Sequence, residues 1–209
     1  MKYTALVPVK SLSEAKSRLA LHLTPGQRAE LMLDMLHHVL SVLQESRIFS
    51  HVAVVSADTY VLERAQAWGA KALVEEQAGH NPALTAAASR EKADGSDVLL
   101  TISADLPLLQ AHDVHDMIEQ LKWRDVVLAS SLDGTGTNAL LARPPLVIPY
   151  LFGVNSFSHY QSEAKLQSLD YALYTSTGLA LDVDTINDIQ ALEYYEMSNT
   201  ACCSSQVMY

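Results

Sequence analysis

The sequence predicts an α/β fold: a single-domain, Rossmann-like, mostly parallel mixed sheet with helices on both faces. Apolar runs of strand length alternate with segments whose apolar residues recur at helical spacing, which is how strand–helix–strand units are written. Start and stop signals of helices fall between those runs. The chain has 209 residues, 49% of them hydrophobic, with no linker and no internal repeat, so one full core needs no disulfide or metal staple.

Residues 3–9, YTALVPV, read as the first strand. Thr24-Pro25-Gly26-Gln27 forms a capping box with proline at the first helical position. Leu31, Met32, Met35, Leu36, Val39, Leu40 and Leu43 follow at helical spacing. HVAVVSA, 51–57, is the second strand; Asp58 caps a helix over 59–68 that Gly69 stops. KALVEE, 71–76, is a short third strand, and Asn81-Pro82 opens an alanine-rich helix to about residue 93.

DVLLTISA, 97–104, is the fourth strand, with a helix near 111–122 behind it. Strands follow at 125–131 and 138–142, then a helix at 156–169 and a strand at 171–175. LDVD, 181–184, precedes a last helix ending near 196. The expected domain is therefore 1–196, with 197–209 a flexible C-terminal tail of small polar residues.

Fourteen basic against 24 acidic residues give a net charge of −10, which argues against nucleic acid as a partner. An anionic small substrate stays compatible, through local basic charge or a bound cation. The two cysteines, Cys202 and Cys203, are adjacent, so they build neither a disulfide framework nor a spaced zinc motif; a cytoplasmic protein is expected. No run of 18 apolar residues and no signal-peptide pattern at the start point to a membrane.

Ligands of such sheets bind beyond the carboxyl ends of the strands, so the strand ends carry the functional question. The first strand is followed by PVKSLSEAKSRLA, where Lys10, Lys16 and Arg18 suit a polyphosphate; the structural alternative is a solvated surface loop. It is no P-loop, since the required glycines and the Gly-Lys-Ser/Thr step are missing. The fourth strand ends in Asp105-Leu106-Pro107. An acid held there can coordinate Mg²⁺ on phosphate oxygens, or it can merely cap a helix or form a turn.

Asp182 and Asp184, two apart, share a face of an extended segment and can join Asp105 around metal; Asp184 alternatively caps the last helix. DGTGTNALL (133–141) and FGVNSFSHY (152–160) are glycine-bearing loops suited to a phosphate or carboxylate, or plain turns with a serine N-cap. His112 and His115 lack a third ligand at matching spacing and read as a polar helix face. No Gly-x-Ser-x-Gly, no plausible cysteine nucleophile and no complete dinucleotide fingerprint is present.

VPVKSLSEAKSRL, GHNPAL, SADLPLL, GTNALL, FGVNSFSHY and LDVDTINDI, in that order, resemble the 2-phospho-L-lactate guanylyltransferase family of deazaflavin coenzyme F-420 biosynthesis. The resemblance runs to about residue 195. It implies a nucleotidyltransferase of the glycosyltransferase-A type that uses GTP and Mg²⁺. By it, Asp105 and Asp184 hold Mg²⁺ with Asp182 close by. Lys10, Lys16 and Arg18 hold the triphosphate, and Lys16 and Arg18 act in catalysis with Asp105. Gly79 and Asn81 lie against the guanine nucleotide; Thr137, Gly153 and Ser156 hold the phosphorylated acid. The family usually has leucine where this chain has His80.

The implied reaction joins GMP to 2-phospho-L-lactate, phosphoenolpyruvate or 3-phospho-D-glycerate and releases pyrophosphate. A downstream transferase would use the product, and some members of the family form homodimers. Competing readings are a sugar-phosphate or molybdenum-cofactor nucleotidyltransferase on the same fold, and a catalytically silent nucleotide-binding module.

Overall fold

The computed structural model describes residues 1–204. In chain order the strands are β1 (Tyr3–Pro8), β2 (His51–Ser56), β3 (Lys71–Val74), β4 (Val98–Ile102), β5 (Val126–Ser130), β6 (Thr137–Ala142) and β7 (Tyr171–Tyr174). The helices are α1 (Pro25–Glu45), α2 (Thr59–Ala67), α3 (His80–Ala93), α4 (Ala111–Gln120), α5 (Ser156–Leu166), α6 (Thr177–Ala180) and α7 (Ile186–Ser204). Among these residues no helix is long and apolar enough to cross a membrane.

One seven-stranded sheet runs β3-β2-β1-β4-β6-β5-β7. All neighbours are parallel except β6, which is antiparallel to both β4 and β5. Side chains alternate between two cores, as the pleat requires. Ala5, Val7, Val52, Val54, Leu100 and Ile102 face α1, α2 and α4, whereas Leu6, Ala53, Val55, Leu99 and Leu128 face α3 and α5. Burial on both faces makes every residue of β4 apolar or closed in, including Thr101, whose hydroxyl bonds the Tyr150 hydroxyl at 2.7 Å. Within α1, Leu36, Val39, Leu40 and Leu43 are fully buried, and removing one such leucine to alanine costs roughly 2–5 kcal/mol.

Two features of this topology place a site. After β1 the chain winds toward β2 and β3; after β4 it winds toward β5 and β7, so the carboxyl ends of β1 and β4 flank a switch point. Because β6 runs the other way, its beginning, Thr137, lies beside the end of β4, where Ile102 pairs with Ala139. The loop before β6 is thereby brought to the same edge.

Most expected elements appear within a few residues of their predicted bounds. Three short ones were not legible: the 3-10 turns Ser17–Leu19 and Leu121–Trp123, and α6. Helix α5 stops at Leu166, with Ser168 turning into a left-handed conformation. The last helix does not end near residue 196; it continues to Ser204, because no glycine or proline interrupts 197–204. The rest of the expected tail, 205–209, lies outside the described residues.

Candidate active site

A cleft of about 970 Å³ opens over the switch point, at the upper end of the size range for small-molecule sites. Lys10, Lys16, Arg18, Asp105, Asp182 and Asp184 all line it, as do Thr137, Gly153 and Ser156.

The loop after β1 is held by groups from elsewhere in the chain. Asp58 caps α2 through Oδ1, which accepts from Tyr60 N at 3.0 Å and Val61 N at 3.4 Å. Its Oδ2 accepts from Ser11 Oγ at 3.2 Å and Leu12 N at 3.0 Å, which ties down the start of the loop. Burial opposes ionisation of Asp58, but these donors outweigh it and hold the carboxyl below the ordinary range. Further along, the buried Arg28 donates through Nη1 to Ala15 O at 2.9 Å. Lys16 follows in the left-handed region, φ 51°. A non-glycine residue there costs about 1–2 kcal/mol, and the surrounding contacts sustain it.

That conformation drives the Lys16 ammonium between two carboxylates. Nζ donates to Asp105 Oδ2 and, at 2.9 Å, to Asp184 Oδ1. Burial would lower the Lys16 pKa, yet the two acids override it and raise it above the lysine value. Burial would likewise raise Asp184, but Lys16, Arg18 and Lys10 hold it below the carboxylate value. Arg18 Nη1 lies 3.8 Å from Asp184 Oδ2, and Lys10 forms no ion pair among the described residues. Lys16 thus meets the acids directly, while Lys10 and Arg18 remain the cations facing open cleft.

Asp105 takes no part in capping: α4 is capped by Gln110 and Asp113. Asp184 does not cap the last helix either. Asp188 Oδ2 accepts from Thr185 N at 2.6 Å and Asp184 N at 3.0 Å, which leaves the Asp184 carboxylate to the cleft. Asp182 differs from its neighbours, since Oδ1 accepts from Asn138 Nδ2 at 3.0 Å. Burial raises its carboxyl, and the negative charges of Asp105 and Asp184 add to the effect.

Among the described residues no group of three or more His, Cys, Asp or Glu side chains is arranged to hold a metal ion. What the cleft offers is a pair of hard carboxylates, Asp105 and Asp184, facing one cation. Mg²⁺ typically takes one or two carboxylates and completes its shell with phosphate oxygens and water, so the pair suits Mg²⁺ delivered with a nucleotide.

The lining from 131 to 138 and 153 to 156 carries hydroxyls and glycines, with Asp133 its one carboxylate. Asp133 Oδ1 accepts from Ser131 Oγ at 2.7 Å and Thr135 N at 2.9 Å, and these donors lower its pKa to about 2. Gly136 donates to Ser131 Oγ at 2.7 Å; a Cβ there would lie 2.8 Å from that oxygen, so a side chain at 136 would have to displace the hydroxyl. Ser156 is the first residue of α5, not its N-cap, which is Asn155. The buried Ser156 hydroxyl bonds Thr137 Oγ1 at 3.1 Å, so two residues predicted for the acid are in contact. Gly153 adopts φ 134° with open space around it, where backbone can approach a ligand closely.

Gly79 and Asn81 are not part of the cleft wall; His80, between them, is. Both polar ends of the Asn81 side chain are engaged by the backbone of Phe152. Burial and then Lys10 lower the His80 pKa, so its imidazole is neutral near pH 7. The loop anchors Asp58 and Arg28 escaped sequence reading because their partners lie 46 and 13 residues away.

The family profile described as "Guanylyl transferase CofC like" matches residues 3–198. A phosphoenolpyruvate guanylyltransferase of Sphaerobacter thermophilus is 39% identical over 192 residues, 92% of this chain and 93% of that protein. A 2-phospho-L-lactate guanylyltransferase of Methanothermobacter thermautotrophicus is 37% identical, over 90% of this chain and 83% of that one. Among solved structures, a nucleotidyl transferase from the latter organism superposes with a TM-score of 0.67 at 14% identity, covering 95% of this chain and 99% of that chain. At that identity the likeness shows the fold alone.

Proposed function

This chain belongs to the guanylyl transferase CofC-like family, and on that premise we propose that it joins GMP from GTP to a phosphorylated three-carbon acid and releases pyrophosphate. The observation that carries the reading is one cleft that holds two groups of side chains: Lys10, Lys16 and Arg18 with the carboxylates Asp105 and Asp184, and the hydroxyl- and glycine-bearing residues Thr137, Gly153 and Ser156. The first suits a triphosphate with its cation, the second a small phosphorylated acid. Phosphoenolpyruvate is the first acceptor to test, with 2-phospho-L-lactate and 3-phospho-D-glycerate beside it.

In the reaction an oxygen of the acid's phosphate attacks the α-phosphorus of GTP. The new P–O bond forms as the bond from Pα to the β-phosphate bridging oxygen breaks, and pyrophosphate leaves. The nucleophile is already ionised, so no side chain has to remove a proton, in keeping with a cleft that offers no Ser–His or Cys–His pair. Catalysis is then positioning and electrostatics. Lys10 and Arg18 neutralise the triphosphate; Lys16 holds Asp105 and Asp184 in place and supplies positive charge. Mg²⁺ at Asp105 and Asp184 would screen the two polyanions and stabilise the leaving pyrophosphate. Thr137, Gly153 and Ser156 orient the acid.

The product is an activated diphosphate diester, suited to a second transferase that passes the acid to an acceptor, here the deazaflavin of coenzyme F-420 biosynthesis. The test is pyrophosphate release with Mg²⁺, GTP and each acid separately. Release with one of the three acids supports the reading. Silence with all three in the presence of the downstream transferase and its acceptor, together with turnover of a sugar phosphate and CTP, overturns it.

A further inference from the structure

Asn81 stands outside the cleft wall but spans 71 residues of sequence to grip the loop that carries Gly153. Its Nδ2 donates to Phe152 O at 2.9 Å, and its Oδ1 accepts from Phe152 N at 3.0 Å. Two opposed bonds to one residue fix the orientation of that backbone as well as its distance. The Phe152 ring is held on the same side, edge-on to His80 at 5.6 Å, and also edge-on to Tyr160 at 5.5 Å. Beyond Phe152 the chain passes through Gly153 at φ 134° and Asn155 at φ 55° before Ser156 meets Thr137. One turn bond, Ser156 N to Gly153 O at 3.1 Å, closes the loop on itself, and its remaining anchors lie at its two ends.

We infer that Asn81 is a positioning residue: it sets the acceptor-binding loop, 152–156, against the start of α3 and does not itself contact the nucleotide. This replaces the nucleotide contact that the family resemblance implies for Asn81, because the residue stands outside the cleft wall and its amide is turned to the Phe152 backbone. The kinetic part rests on the acceptor role proposed for Gly153 and Ser156. A displaced positioning loop of about 1 Å can cost about 10²-fold in rate without loss of any ligand contact.

The test compares wild type with Asn81→Ala in three measurements: GTP affinity without acceptor, backbone hydrogen exchange along the chain, and KM for acid and for GTP. The expected result is faster exchange confined to the 152–156 loop, GTP affinity within about twofold of wild type, and acid KM raised about tenfold or more. Weaker GTP binding by about tenfold with unchanged loop exchange overturns the inference in favour of a direct nucleotide contact. Uniformly faster exchange with both KM values unchanged also overturns it, leaving a merely structural residue. If Asn81→Ala does not fold, Asn81→Asp serves, since it keeps the shape and turns the donor to Phe152 O into a repelling oxygen. If wild type uses none of the acids, the proposed function fails separately, while exchange and GTP affinity still decide the role of Asn81.

Discussion

Two lysines, at opposite ends of the sheet, each sit between two carboxylates, and they differ in which partner is buried. At the carboxyl end Lys16 meets Asp105 and Asp184; its side chain is 3% exposed, and that of Asp184 is 44% exposed to the cleft. At the amino end, Lys71 meets Glu91 at 2.8 Å and Asp94 at 3.1 Å; there Glu91 is fully buried and Lys71 is 39% exposed. Both Glu91 oxygens are engaged, Oε1 by Lys71 and Oε2 by His51 at 2.7 Å. A fully buried carboxylate with both oxygens engaged is a clamp between α3, β2 and β3. A carboxylate presented to a cleft by a buried cation keeps lone pairs for a ligand. The same ion-pair chemistry thus yields a strut at one end and a site at the other.

The contrast breaks most sharply at Asp105. Asp105→Asn removes the charge but keeps the shape, and is expected to lower turnover by about 10²–10³-fold. Its melting temperature should stay close to wild type, which calorimetry or circular dichroism checks. Lys16→Met leaves Asp105 and Asp184 facing each other without their cation. A steady-state assay should show turnover reduced by about 10²-fold.

Glu91→Ala is the mirror case. His51 and Lys71 are partly exposed and can hydrate, so the loss falls at the low end for a broken buried pair, about 2–3 kcal/mol. That is a melting shift of about 5–10 °C for a domain of this size. Pyrophosphate release at low temperature should be unchanged. Equal damage to activity from Glu91→Ala and Asp105→Asn would erase the distinction.

The smallest expected effect is a pH dependence at the strut. The hydrogen bond that Lys71 donates to Glu91 is the main cause that raises the Lys71 pKa above its ordinary value of 10.5, with Asp94 adding to it and burial opposing. A raised folded value favours the charged form, so the contribution of Lys71 is fully present below pH 10.5 and fades as pH rises through the folded value. Urea titrations of wild type and Lys71→Met should therefore differ at pH 8 and converge at strongly alkaline pH. The partial exposure of Lys71 keeps the difference below about 1 kcal/mol.

This pairing also marks what the sequence could tell. Asp105 and the Lys10–Arg18 loop were legible because a polar residue after an apolar strand can only sit at the sheet edge. The capping box at Thr24 and the stop at Gly69 were equally local. The strut was not legible, since Lys71 and Glu91 lie on different elements and nothing in their surroundings in the chain marks the pair. Nor was the antiparallel β6, whose direction follows from the loop at 131–136 closing β5 and β6 as a hairpin. Local motifs suggested Asp184 as an N-cap, but the helix starts at Ile186, and it is Asp188, inside the first turn, whose carboxylate accepts from Thr185 N and Asp184 N. The family resemblance implies a nucleotide contact for Asn81; its hydrogen bonds to Phe152, in a loop that only the fold brings near, were not legible.

One measurement bears most directly on the central claim: pyrophosphate release by wild type, Asp105→Asn and Glu91→Ala, side by side, with Mg²⁺, GTP and the phospho-acid that wild type uses. The account predicts an active wild type, an active but less heat-stable Glu91→Ala, and a folded, nearly silent Asp105→Asn. A folded Asp105→Asn that turns over at the wild-type rate would contradict it.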